Sequence, residues 1–550
     1  MNPDETHLEL KDAPDRDAAR TGPDADQVPP DADATEADVS EADLDQDQDQ
    51  EEQEKQPMTG GEQRPADGAA AGNGAEKNGA VKLKIPEDEE DQVQFTGLNK
   101  EELLRVAGTP GWVRTRWALL VVFWLGWLGM LGGAVLIILQ APRCRDLPPT
   151  RWWTHGPLYR VGNIQAFSET QNLKGLEQKV DRLSELKVKG LLVGPVHVAP
   201  PDDAMNLSFE EVSPDVGNLE QFKGLVQAAH KKGISVVLDL TPNYLGSSGP
   251  WFSNVTVTSV AERLKSALVF WLSEGVDGVQ LGGVERVATV VPSLWTDIRT
   301  IVQNWTDHRP HKRVLIGVTD RSSAEDVSAL LSSTRVDLLL SRVLRADTTE
   351  RAQSVQRLYS THSQNNLLWS LEGGAEGHMA SVGGAALVQL YQLLLLTLPG
   401  TAVFNYGDEI GLKDEGGKFP KMLWDSDEEL NGTLQEERLQ RRSCRSFFQT
   451  VSELRVKERS LLFGDFVLLF NSSSSLAYLR VWDQSQRYLA AFNWAEEEGE
   501  ELRLSGVELP RWATVVVSTN SSALPANAHV ELTALRLEAG HAALLKFPYA

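Results

Sequence analysis

Between Trp117 and Leu139 the chain runs for 23 residues without a charge, WALLVVFWLGWLGMLGGAVLIIL. As a helix this run is about 35 Å long, enough to cross the hydrocarbon core of a bilayer with some tilt. It is too long for a signal-peptide core and lies far from the N-terminus. A buried helix of a soluble protein rarely runs this far without a polar face. The run therefore reads as a signal anchor, a transmembrane helix over 117–139, and everything else must fold on one side of it or the other.

Basic charge does not orient the anchor. Lys100, Arg105, Arg114 and Arg116 precede it, and Arg143, Arg145, Arg151 and Arg160 follow it, which is a tie under the positive-inside rule. The N-x-S/T triplets break the tie. Asn206, Asn254, Asn304, Asn431, Asn471 and Asn520 each begin one, and all six follow the anchor. Such acceptors act only on the lumenal or extracellular side, so the C-terminal part is expected outside and the N-terminus in the cytoplasm. Asn304 is the weakest of the six, because its surroundings read as helix.

The formal charge of −25 is concentrated before the anchor. Residues 1–110 carry about 30 acidic against about 10 basic groups. This segment is rich in Asp, Glu, Gln, Ala, Gly and Pro, with a DQ repeat at Asp45–Gln50. It cannot bury enough apolar surface to offset its chain entropy and is expected to be a disordered acidic tail. Only Val93–Val113 alternates well enough for a short helix. No part of the chain has the basic face that nucleic acid requires, and no cofactor or metal is expected. Within the anchor, Gly126, Gly129 and Gly133 share one helical face, where another helix could approach closely.

Two cysteines are present. Cys144 lies five residues past the anchor, in a neck spanning 140–150. Position alone leaves its role open between a disulfide to another membrane protein, a homodimer bond and palmitoylation. Cys444 shares helical spacing with Phe447, Phe448, Val451 and Leu454, and is expected to be buried and reduced.

After the neck, short apolar strands alternate with amphipathic helices. Strands are expected at Gly190–Val196, Ile234–Leu240, Asp277–Leu281, Val314–Val318, Val336–Leu340, Asn366–Ser370 and Thr401–Phe404. Helices are expected at Asn172–Leu186, Leu219–Lys232, Val260–Ser273, Ser293–Trp305, Ser323–Ser332, Thr348–Ser360 and Gly383–Leu398. About eight such repeats predict an α/β domain, a closed (β/α)8 TIM barrel, over 151–456. After a last helix at Leu434–Val456, the runs Phe466–Phe470, Ala477–Trp482, Tyr488–Phe492, Ala513–Ser518 and Ala542–Phe547 predict a small antiparallel β-sandwich domain over 457–550.

Three motifs carry a resemblance: DLTPNY at Asp239–Tyr244, GVDGVQLGG at Gly275–Gly283 and LPGTAVFNYGDEIGL at Leu398–Leu412. Together they resemble the alpha-amylase family of glycoside hydrolases. That family carries an inserted domain after the third barrel strand. Fewer than 40 residues separate Leu240 from Asp277 here, so the insertion is expected to be absent. Retaining glycosidases need a carboxylate nucleophile and a carboxylic acid across the scissile bond. The family's G-x-R-x-D reads Gly278-Val279-Gln280-Leu281-Gly282, which puts Gly282 at the nucleophile position. Val318 stands at the acid position, Tyr244 replaces a histidine, and Glu372 aligns with the third carboxylate. No catalytic residue is expected.

Adding APRCRDLP at Ala141–Pro148, VKGLLVGPVH at Val188–His197 and KERSLLFGDF at Lys457–Phe466, the whole chain resembles the heavy subunits of heterodimeric amino-acid transporters. The cystine-transport branch, whose barrel keeps the inserted domain, fits less well. The resemblance implies a non-catalytic subunit that escorts and stabilises a multi-pass light chain at the plasma membrane. It matches Cys144 to the intersubunit disulfide, places the membrane helix against the light chain and the ectodomain over its outer face, and implies a link to integrin signalling through the tail and membrane segment. The residues alone leave two other classes open, a type II membrane alpha-glucosidase and a disulfide-linked adhesion or receptor homodimer.

Overall fold

The computed structural model describes residues 99–141, 143–306, 311–345, 348–372, 377–416, 419–424, 433–504 and 509–549. The expected tail therefore lies, except for its last residues, outside the described part, and so does Asn431. The chain forms two structural units, divided within a long helix at Trp117/Ala118.

In the first unit Asn99 caps a helix, Lys100–Ala107, by accepting the backbone N–H of Lys100. The helix expected within Val93–Val113 is thus shorter than that span and ends at Gly108. A second helix begins at Pro110, whose fixed φ suits a first helical turn, and continues to Gln140. It extends seven residues ahead of the apolar run, taking in Arg114 and Arg116. It is the one helix among the described residues long and apolar enough to cross a membrane. Its leucines, valines and tryptophans are exposed.

In the second unit eight parallel strands form a nearly closed barrel. They are β1 (Leu158–Val161), β2 (Gly190–Val193), β3 (Ser235–Asp239), β4 (Gly278–Gly282), β5 (Val314–Val318), β6 (Leu338–Leu340), β7 (Leu368–Trp369) and β8 (Thr401–Asn405). Pairing runs in chain order from β1 to β6, and β8 bridges β7 to β1. A single parallel bridge, Leu339 to Leu367, joins β6 to the start of β7. Both strand faces are buried, as parallel sheets require. Leu158, Leu192, Val237, Val314, Ile316, Leu338, Leu340, Leu368 and Val403 fill the interior with Trp153, while the alternate residues pack outward on the helices.

The helix expected over Asn172–Leu186 is two short helices, Leu173–Gln178 and Val180–Glu185, broken at Lys179. The helix expected over Ser293–Trp305 ends at Gln303, so Asn304 is its exposed C-cap rather than an interior residue. The insertion is absent: β3 and β4 are joined by a loop and one helix, Val257–Ser273. A short antiparallel hairpin, His197–Val198 with Ser208–Val212, follows β2 instead.

After the helix Thr433–Lys457 the chain forms a six-stranded antiparallel sheet: β9 (Asp465–Asn471), β10 (Ser475–Val481), β11 (Arg487–Asn493), β12 (Trp512–Ser518), β13 (His529–Glu531) and β14 (His541–Phe547). Its alternation serves two cores. Tyr478, Tyr488, Ala490, Phe492, Ala542 and Leu544 join the barrel core. Ala477, Leu479, Leu489, Ala491, Ala543 and Leu545 face away, under a two-stranded ribbon of Glu500–Leu502 and Leu535–Leu537. The ribbon and β13 are three residues per strand, too short for periodicity to reveal.

The junction of the two domains is polar at one point. The helix Val388–Thr397 ends inside the protein, where its last carbonyls lack intrahelical partners. Arg455 donates to the carbonyls of Leu396, Leu398 (2.8 Å) and Gly400. Arg480, from β10, donates to those of Thr397 (2.6 Å) and Gly464. Burial lowers both guanidinium pKa values, to about 9 and about 10, so both remain charged at neutral pH. Tyr478 shares a hydrogen bond of 2.6 Å with Thr397. Replacing Arg480 by Met strands buried carbonyls, and the expected loss is about 3 kcal/mol of stability. A denaturant melt of the full chain measures it, and an unchanged midpoint would show that the junction does not need the guanidinium.

Candidate functional sites at the two ends of the barrel

The C-terminal ends of the strands surround an open cleft of about 590 Å³. Because β4 presents Gly278, Gln280 and Gly282 inward, the top layer of the barrel is polar rather than aliphatic. Arg160 of β1 donates to Gln280 Oε1 at 2.7 Å. The Gln280 amide donates to Asp239 of β3. The other oxygen of Asp239 accepts the N–H and hydroxyl of Thr241, at 2.9 and 2.6 Å, and Thr241 Oγ1 accepts the N–H of Gly282 at 2.9 Å. This closed chain occupies the floor of the cleft.

Gly282 and Val318 are register partners on adjacent strands, about 4.8 Å apart. Neither residue carries a group that can transfer a proton or attack carbon. A Cβ at Gly282 would lie 3.0 Å from Cγ2 of Thr241, so the space that a nucleophile's side chain would enter is crowded. Both residues line the cleft, as does Tyr244. Glu372 does not. It is buried beyond the end of β7, 3.9 Å from Arg345, with Oε1 unpartnered among the described residues. Asp408 likewise serves structure: it accepts the backbone N–H groups of Met379 and Asn405, at 2.9 and 2.8 Å.

The opposite end of the barrel receives the neck. Trp152 and Trp153 donate their indole N–H groups to the carbonyls of Lys312 and Asn365, each at 3.1 Å, just ahead of β5 and β7. Cys144 is exposed and unpaired among the described residues, whereas Cys444 is buried. The residue after Cys144 is held. Arg145 donates its backbone N–H to Asp483 (3.1 Å), pairs with Asp465 (3.4 Å) and lies 4.8 Å over the ring of Trp482. At exposed sites each such contact contributes on the order of 0.5 kcal/mol. The partners lie more than 300 residues from Arg145, so no local sequence signal marks them.

In the membrane helix a Cβ at Gly126, Gly129 or Gly133 would meet nothing, and Gly132, absent from the sequence reading, is equally open. Of the asparagines that begin N-x-S/T triplets, Asn206, Asn254 and Asn304 are exposed, and Asn471 and Asn520 are half-buried. No cluster of metal-ligating side chains occurs among the described residues.

The family described as "Solute carrier family 3 member 2 N-terminus" matches residues 82–159, and "Alpha amylase, catalytic domain" matches residues 165–259. The rabbit (Oryctolagus cuniculus) amino acid transporter heavy chain SLC3A2 is 43% identical over 94% of this chain and 99% of its own length. The chain belongs to the SLC3A2 family of amino acid transporter heavy chains. The rat SLC3A1 heavy chain is more distant, 23% identical over 84% of this chain and 88% of its own, so the heavy chain sits on the SLC3A2 branch. Among solved structures, the trehalulose synthase MutB of Pseudomonas mesoacidophila MX-45 superposes with a TM-score of 0.58 at 17% identity, over 72% of this chain and all of that one. That likeness establishes the glycosidase-type fold alone.

Burial raises the Glu372 pKa from 4.5 to about 7. The folded heavy chain then holds a proton that the unfolded chain releases, so stability falls as pH rises from about 4.5 to about 7 and levels off above. Glu409, also pushed up to about 7, acts in the same direction. Glu372→Gln removes one titrating group. Its melting temperature is expected to fall less between pH 5 and pH 7.5 than that of the parent. Parallel curves would mean that Glu372 is ionised throughout.

Proposed function

We propose that this heavy chain is a non-catalytic escort, linked by a disulfide from Cys144 to a multi-pass light chain of an amino-acid transporter, which it stabilises at the plasma membrane. The observation that carries the reading is the placement of Cys144: an exposed thiol in an extended neck between a membrane-length helix and a folded domain. The orientation is type II, with the N-terminus cytoplasmic and the domain outside, where a disulfide persists. The N-x-S/T acceptors after the helix support this side. Covalent attachment keeps the partner at high local concentration, so modest contacts suffice elsewhere. The glycine face at Gly126, Gly129 and Gly133 supplies such a contact, and the ectodomain another, over the light chain's outer face. A link to integrin signalling through the tail and membrane segment belongs to the same reading.

The ectodomain contributes shape rather than chemistry. Gly282 and Val318 occupy the two positions where a retaining mechanism needs carboxyl groups, and the Arg160–Gln280–Asp239 chain fills the floor below them. The type II alpha-glucosidase reading is correspondingly weak. The heavy chain is expected to leave nitrophenyl glucosides unhydrolysed, and enzyme-like turnover would reverse this assignment.

Cys144→Ser tests the tether. On non-reducing gels the parent is expected to run as a heavy species that resolves on reduction into this chain and a smaller, very hydrophobic protein. The variant is expected to lose that species but keep partial co-purification in mild detergent. A band at twice the chain mass would instead establish a homodimer.

A further inference from the structure

We infer that Arg145 is a latch that fixes the position of Cys144, and so decides where a partner cysteine must lie to form the disulfide. The inference rests on the reading of Cys144 as the tether, and adds a positioning residue to it.

Three kinds of contact converge on Arg145, each from a different group. Its backbone N–H reaches Asp483, its guanidinium reaches Asp465, and the same guanidinium covers the face of Trp482. Asp465 is itself held from the barrel side, since Tyr359 of the helix Thr348–Thr361 donates to its other oxygen at 3.2 Å. Trp482 is buried and packs edge-on against Phe463 at 5.6 Å. Asp483 begins the turn between β10 and β11 and holds a left-handed φ of 41°, which Asp tolerates better than most residues. The neck is thus docked on a platform built from both domains.

The consequence for the thiol is geometric. Cα atoms of neighbouring residues are about 3.8 Å apart, and a disulfide brings its two Cα atoms within about 7 Å. A partner's cysteine must therefore come within about 11 Å of the Arg145 Cα. Arg145→Ala removes the two guanidinium contacts. With these and the Asp483 bond all lost, the next side-chain hold on the neck among the described residues is the hydrogen bond from Asn365 to the carbonyl of Pro149. Five residues of extended chain then let Cys144 range over about 17 Å from that point. A docked neck presents one thiol position, while a loose one dilutes the same thiol over a larger volume and lowers its effective concentration at the partner.

Arg145→Ala in the full-length chain, expressed in cells with their own light chains, tests this. Pulse-labelled cells are quenched with N-ethylmaleimide, and the disulfide-linked species is followed on non-reducing gels. Adduct formation is expected to slow at least threefold, with non-covalent co-purification in mild detergent unchanged. Arg145→Lys, which keeps charge and stacking but not the planar fork, is expected to fall between the two, as is Asp465→Asn. Hydrogen exchange across the neck peptides gives a readout independent of the partner, with faster exchange expected in Arg145→Ala than in the parent. Adduct formation by Arg145→Ala at the parent's rate, or unchanged neck exchange, would overturn the latch. Absence of any linked species in the parent, with neck exchange faster in the variant, would instead refute the tether and leave the docking in place.

Discussion

The large domain depends on how one helix end is satisfied inside it. The helix Val388–Thr397 leads into β8 and terminates where no water reaches, so its free carbonyls must find donors or forfeit several kcal/mol. Arg455 and Arg480 supply them from two directions, one from the last barrel helix and one from the β domain. The same contacts position the strand that closes the barrel and hold the β sheet against it. The sheet then places Asp465, Trp482 and Asp483 where the neck arrives, so the foot of the molecule inherits its geometry from this junction.

The two ends of the barrel have diverged in kind. The cleft end is floored by mutual hydrogen bonding, with Gln280 bridging Arg160 and Asp239. The neck end carries an exposed thiol whose neighbour is docked. A fold of the glycosidase type here follows a helix long and apolar enough to cross a membrane. That division of labour accords with membership of a transporter heavy-chain family.

Much of this was legible in the sequence, and the reasons differ by element. The membrane helix and the barrel strands announce themselves through uninterrupted apolar runs, and β10, β11 and β14 through alternation. Gly282 and Val318 line the cleft at the ends of β4 and β5, two strands that their apolar runs make legible. Glu372 is harder to place from sequence, because β7 is only two residues long and gives little register to align against. Asn304 was placed inside a helix because apolar spacing continues to Trp305 after the helical hydrogen bonding stops. Arg145 could not be found at all: a lone basic residue in a short neck carries no periodicity, and its partners are fixed only by the folded β domain.

In the proposed function, Cys144 joins this heavy chain to a different membrane protein. Mass spectrometry of the native complex, alkylated before lysis and digested without reduction, tests it directly. A cross-linked species pairing the Cys144 peptide with a cysteine peptide from a multi-pass transporter is expected. A Cys144 peptide linked to itself, carrying a palmitoyl group or alkylated as a free thiol would contradict it.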